Sequence, residues 1–301
     1  MRNEFVDELL VRARKDPKIV LITGDLGFGV LDNFWDSLPK QFVNLGITEQ
    51  SSISYAAGLA RNELRPFFYS IGNFPTLRAL EQIRNDVVFM ELPVTIVAVG
   101  AGFAYGTAGY SHHLIEDFGA MSALNLEIYS PTMPRDIQKC LDSILSQQYP
   151  AYLRLGKGGE KNFDVSHSVY DFPGVLNHIP ETELTVMVNS AVIEEVVKAV
   201  EILDEGGTSV AILSCWKSTG YSHEEISFLS SRKKIVVIEE HVIRGGFGSY
   251  ICECLGESNQ VVTKIGISKL RKKLNGSTKF LRQSYGLSSQ HLAETLMSLH
   301  K

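Results

Sequence analysis

Short, densely apolar runs alternate with amphipathic stretches along most of the chain. Near the start, Phe5, Leu9 and Ala13 recur at helical spacing inside a charged segment, which predicts an amphipathic helix ahead of Asp16-Pro17. Apolar runs at 19–23, 66–71, 94–99, 126–129 and 151–155 read as buried strands, and the stretches 46–61, 77–89 and 134–146 between them as helices. Pro93 stands at the first edge of a strand, where a missing N–H is tolerated, and Pro134 opens a helix. After a polar, irregular stretch at 163–183 the alternation resumes. It gives strands at 184–188, 210–214, 235–239 and 261–265, and helices at 192–203 and 288–300. Short strands separated by helices imply parallel pairing, because a parallel connection needs a crossover. The pattern therefore predicts two doubly wound α/β domains, residues 1–170 and 180–301, dividing near residue 175.

Composition narrows the class. Of 301 residues, 44% are hydrophobic and 21% charged, an ordinary globular mixture long enough to bury full cores. The formal charge of −5 argues against a nucleic-acid partner, which calls for a basic surface. Cys140, Cys215, Cys252 and Cys254 have neither metal-ligand spacing nor secreted disulfide density, so reduced thiols and a cytoplasmic location are expected. The start lacks the shape of a signal peptide. Residues 92–115 contain no Asp, Glu, Lys or Arg and match a membrane span in length, yet only 94–99 is densely apolar. Gly100, Gly102, Gly106 and Gly109 follow, then Ser111, His112 and His113. The stretch reads as a buried strand entering a glycine-rich loop, with no membrane partner.

Three segments hold candidate chemistry. NLGITEQ at 44–50 sets Glu49 just inside a helix start, where an acid is also favoured by the helix dipole alone. In GTAGYSHHLIEDFGAM at 106–121, glycines allow close backbone approach ahead of a His pair, Glu116 and Asp117. A polar loop capping the next helix is the plainer reading, and the spacing does not suit zinc. IVVIEEHVIRGGFGSY at 235–250 brings a strand onto Gly245, Gly246 and Gly248 at a helix start. Neither it nor 100–106 has dinucleotide-loop spacing, and the phosphate loop GxxxxGK[ST] is absent.

In chain order NLGITEQ, YSIGNFPTLRALEQIR (69–84), GYSHHLIED (109–117), SPTMPRDI (130–137) and VVIEEHVIRGGFGS (236–249) form a set. That set resembles the transketolase family of thiamine diphosphate enzymes, across their pyrimidine-binding and C-terminal domains. The resemblance implies that Glu49 hydrogen-bonds the endocyclic nitrogen of the cofactor aminopyrimidine. A carboxyl facing a ring nitrogen in a dry site shares a proton with it. Phe74 lies where the family sets an aromatic against the pyrimidine face, a core residue being the alternative. Ile71 and Leu77 stand where further rings are usual, giving a more aliphatic pocket. Asp25, with Leu26 in TGDLG, looks like the family aspartate near the thiazolium end, or a turn-forming Asp. His112 matches the histidine that serves proton transfer at the substrate carbonyl and hydroxyl end. His113 is the less favoured partner. Arg154 and Lys157 lie near the family's phosphate-binding arginine and are expected at the substrate. Gly100 and Ala108 replace a phosphate-contacting histidine and a hydroxyl-reading aspartate, which points away from ordinary pentose phosphates toward an unusual sugar.

Full-length members also carry a diphosphate-binding domain, whose GDG motif and later Asn hold a divalent metal such as magnesium or calcium. This sequence has no GDG. The resemblance thus implies the C-terminal subunit of a split transketolase, a transferase moving a two-carbon ketol unit between sugars or sugar phosphates. An N-terminal partner subunit carrying GDG would hold the metal and complete the thiamine diphosphate site, in an α2β2 assembly. No metal ligand is expected in this chain. A 2-oxo acid decarboxylating beta-type subunit, a 1-deoxyxylulose-phosphate synthase-like subunit and a non-catalytic scaffold are the competing readings.

Overall fold

Two parallel sheets organise the chain, whose computed structural model describes residues 1–256, 258, 260–270 and 274–300. The first sheet takes β1 (Ile19–Thr23), β2 (Phe42–Asn44), β3 (Arg65–Ile71), β4 (Thr95–Val99), β5 (Glu127–Tyr129) and β6 (Ala151–Leu155), in the order β2-β1-β3-β4-β6-β5. The second takes β7 (Val169–Phe172), β8 (Leu184–Val188), β9 (Val210–Cys215), β10 (Ile235–Val242) and β11 (Val262–Ile267), in the order β11-β10-β8-β9-β7. β1, β4, β6 and β8 are buried at every position. Strands covered on both faces need no polar alternation, and so they read as unbroken apolar runs. Successive residues feed opposite layers: Val20 and Ile22 enter one core, Ile19 and Leu21 the other. The α/β architecture, with two doubly wound units, is as the sequence pattern predicts.

Several details differ from the pattern. β7 lies in the second sheet, paired with β9, so that sheet begins at Val169, before the expected boundary at 170–180. Only Val169 and Phe172 of its four residues are buried, and so short an edge strand leaves no apolar run to find. The expected helix at 46–61 begins at Glu49, because Gly46 adopts φ +69 and turns the chain first. The stretch 77–88 is helical in three successive geometries and ends in a π-type segment, Ile83–Val88. The helix Asp117–Ala123 was hidden by its shortness and by Gly119, where a Cβ would sit 2.8 Å from the Gly245 carbonyl oxygen of the second unit.

The two units are joined by backbone as well as side chains. Ser130 donates its N–H to Trp216, Ser218 to Ile128 and Val242 to Ile115. Arg154, on β6, is buried with its Nε 2.7 Å from Asp117 and its Nη2 donating to the carbonyls of Leu114 and Glu240. Arg282 pairs with Glu240 through two bonds of 2.9 and 3.0 Å. Beside them, the Glu239 carboxylate accepts from the N–H groups of Phe247 and Gly248, at the start of the helix Phe247–Cys254. The chain's own carboxylate thus fills the glycine-rich helix start at 245–248. Burial pushes Glu239 up to about 7, against the pull of those two N–H groups. It pushes His241 down to about 4. His241 Nδ1 lies 2.7 Å from its acceptor, the Val242 carbonyl, and Nε2 accepts from the Phe118 N–H, a pattern that fits only the neutral ring.

Candidate active site

In an open α/β sheet, ligands bind outside the carboxyl ends of the strands, where the strand order reverses. In the first sheet that reversal lies between β1 and β3. The expected residues follow these strand ends. Glu49 comes after β2, Asp25 and Leu26 after β1, Ile71 and Phe74 at and after β3, His112 after β4 and Lys157 after β6. Across the sheet they form a row in strand order, not in sequence order.

Glu49 opens the helix Glu49–Arg61 and is only 4% exposed. The loop before it is held by Asn44, whose Oδ1 accepts from the N–H groups of Asp25 (2.9 Å) and Gly46 (3.0 Å). Asp25 is exposed, at φ +51, in the conformation of a turn residue set against that loop. Phe74 follows β3 in a turn closed by its N–H to the Ile71 carbonyl. Asn73 ties this turn to the histidine loop, donating through Nδ2 to the carbonyls of Ser111 and His113. The rings of Phe74 and His112 meet edge to face at 5.4 Å. His112 is half-buried, with Nδ1 3.0 Å from the Ser111 hydroxyl. His113 is buried against the Gly106 carbonyl and Phe103, a structural neighbour of the site.

Two side chains join this site without having been foreseen. Arg78 Nη1 donates to Glu49 Oε2 at 2.9 Å, and its guanidinium lies 4.3 Å from the Phe74 ring centroid. The signal was present: Phe74 and Arg78 are four residues apart at the start of a helical stretch, the spacing at which side chains meet. Tyr105 fills the space in front of Gly100, where a Cβ would collide with its ring. Hence no histidine fits at position 100, and Tyr105 instead presents its ring to the Lys157 ammonium at 5.1 Å.

Lys157 is exposed and lines a cleft of about 300 Å³ between the two units, with Gly158, Gly159, Glu194 and Arg282 among its neighbours. Arg154 is placed differently from expectation. It is 2% exposed and its guanidinium is committed to Asp117 and two carbonyls, so it braces the domains and does not face the cleft. Among the described residues no group of His, Cys, Asp or Glu is arranged to hold a metal ion, and no helix is long and apolar enough to cross a membrane.

A buried carboxylate, an aromatic ring and a histidine along the carboxyl edge of one sheet, followed by a second doubly wound unit, define a two-domain α/β chain of enzymatic design. Residues 1–159 match the transketolase pyrimidine binding domain and residues 175–292 the transketolase C-terminal domain, so the chain belongs to the transketolase family of transferases. It is 28% identical over 304 residues to a subunit of the apulose-4-phosphate transketolase of Phocaeicola vulgatus, covering 100% of this chain and 97% of that protein. It is 27% identical to a 1-deoxy-D-xylulose-5-phosphate synthase of Clostridium kluyveri, covering 99% of this chain and 48% of the synthase. Its fold is similar to a solved split gene transketolase, an inactive β4 tetramer, with a TM-score of 0.81 and 24% identity over 99% of this chain and 97% of the other.

Proposed function

We propose that the chain is the C-terminal subunit of a two-chain, thiamine-diphosphate-dependent transketolase. The observation that carries this reading is the row along the carboxyl edge of the first sheet. A buried carboxylate and an aromatic ring flank the strand-order reversal, a histidine comes next, and a cation stands at the far end. These residues fit an aminopyrimidine: Glu49 offers a dry carboxyl able to share a proton with the ring nitrogen and Phe74 a ring face, and a flat N–H-bearing group already engages both. Thiamine diphosphate, when bound, supplies the carbon nucleophile and the electron sink for breaking a ketose carbon–carbon bond.

The chain's own residues divide the remaining work. Glu49 holds a proton against the pyrimidine ring nitrogen, in a position water does not reach. Phe74 fixes the ring plane, and Ile71, Leu26 and Asp25 line the neighbouring strand ends. His112 gives and takes the proton at the substrate carbonyl and hydroxyl, its ring held by Phe74 and Ser111. Lys157 lies three strand intervals from β1, roughly 14 Å, and meets an anionic group at the far end of an extended sugar.

Phe28, Ile47 and Tyr110, exposed at 72%, 75% and 60%, lie within three residues of Asp25, Glu49 and His112 along the chain. Apolar groups so placed favour a partner surface closing over them. The chain also lacks GDG, and so the partner would carry that motif with magnesium or calcium. An α2β2 assembly, a cytoplasmic setting and sugar-phosphate or related anionic substrates complete the proposal. The test is two-carbon transfer from ketose donors to aldose acceptors by the chain together with its partner subunit. Glu49→Gln is expected to lower turnover by orders of magnitude in a folded protein. Full activity of that variant, or consumption of pyruvate in place of a ketose, overturns the reading.

A further inference from the structure

Arg78 makes, with one flat group, the two contacts that the proposed function assigns to the cofactor ring. A guanidinium is planar, delocalised and edged with N–H donors, and an aminopyrimidine presents a similar flat N–H edge once its ring nitrogen shares the proton of the facing carboxyl. Here its edge donates to Glu49 at 2.9 Å while its carbon stands 4.3 Å from the Phe74 centroid. His112 meets the same ring edge to face. The ion pair is unequal: Arg78 is 45% exposed and Glu49 only 4%. The cation can withdraw into water, whereas the carboxylate cannot leave and would be costly to leave bare. Arg78 sits on the single turn Leu77–Ala79, and so side-chain rotation alone is enough to move it.

We propose that Arg78 is a displaceable placeholder in the cofactor site. It neutralises Glu49 and covers Phe74 until the pyrimidine takes over both contacts, and the guanidinium then turns outward at the mouth of the site. The inference rests on Glu49 and Phe74 being cofactor-binding residues. Arg78 therefore lowers cofactor affinity, since a half-exposed ion pair and a cation–ring contact must both be broken. Together these weaken binding about tenfold.

The experiment titrates thiamine diphosphate with magnesium into the full chain assembled with its partner subunit, followed by calorimetry. It compares wild type, Arg78→Met, Glu49→Gln and the double variant, and adds thermal melting of each without cofactor. Arg78→Met is expected to bind about tenfold more tightly while melting at a lower temperature without cofactor, because Glu49 is left unpaired. A merely structural arginine would move both quantities in the unfavourable direction. Glu49→Gln should bind more weakly, and adding Arg78→Met to it should bring a smaller gain than in wild type, from release of the Phe74 ring alone. Unchanged or weaker binding by Arg78→Met, with Glu49→Gln still impaired, overturns the placeholder alone. Wild-type binding by Glu49→Gln overturns the cofactor site and the placeholder with it.

Discussion

Glu239→Gln isolates one of two opposed titrations at the seam between the domains. Burial raises Glu239 from 4.5 to about 7. Between these values the native protein holds a proton that the unfolded chain has released, so stability falls as pH rises. The window is about 2.5 pH units wide, worth about 3 kcal/mol at roughly 1.4 kcal/mol per pH unit. His241 is lowered from 6.5 to about 4, so the unfolded chain holds the extra proton and stability rises with pH by a similar amount. From about pH 4.5 to 6.5 the two slopes oppose and nearly cancel. Glutamine at 239 cannot titrate and keeps only one acceptor for the N–H groups of Phe247 and Gly248, adding a pH-independent loss of about 1–3 kcal/mol. Urea unfolding of wild type and variant, measured in half-unit steps from pH 4.5 to 7.5, gives the difference between them, from which unaffected groups drop out. The variant should be penalised most at the acid end, and the gap should close by about 3 kcal/mol toward neutrality. A difference independent of pH refutes the upward shift of the buried Glu239.

Three further outcomes are expected. Arg154→Met leaves Asp117 buried without its cation and should lower stability by about 3–5 kcal/mol in urea, with much of the loss recovered by adding Asp117→Asn. Gly106→Ala sets a methyl 2.5 Å from both the Gly276 carbonyl oxygen and Leu281, and should cost about 1–3 kcal/mol by thermal melting because the second domain must shift. Lys157→Met should raise KM for a phosphorylated sugar about tenfold, with a smaller change in kcat and an unchanged melting temperature.

Elements buried on two faces were the most legible in the sequence, because an unbroken apolar run as short as 94–99, closed by glycines, fits little except a buried strand. Those resting on short or marginal contacts were not: β7 is half polar, and the helix Asp117–Ala123 is interrupted by a glycine that serves the opposite domain. The motifs singled out Glu49, Phe74 and His112 as candidates, and the fold brings Phe74 and His112 into contact and links Glu49 to Phe74 through Arg78. Arg154 shows the limit of position within a motif. On a central strand successive side chains face opposite layers, and a difference of three residues separates a buried brace from an exposed cation at 157. Tyr105 became visible only through the space that Gly100 leaves free.

The backbone bonds from Ser130 to Trp216 and from Ser218 to Ile128 also determine how the gene can be divided. The strand beside them, β5, is an edge of the first sheet and holds only three residues. Cutting between the domains would strip its outer side of these partners, exposing an unpaired edge of the kind that templates aggregation. The smallest piece worth expressing, crossing with homologues or fusing is therefore the pair of domains together.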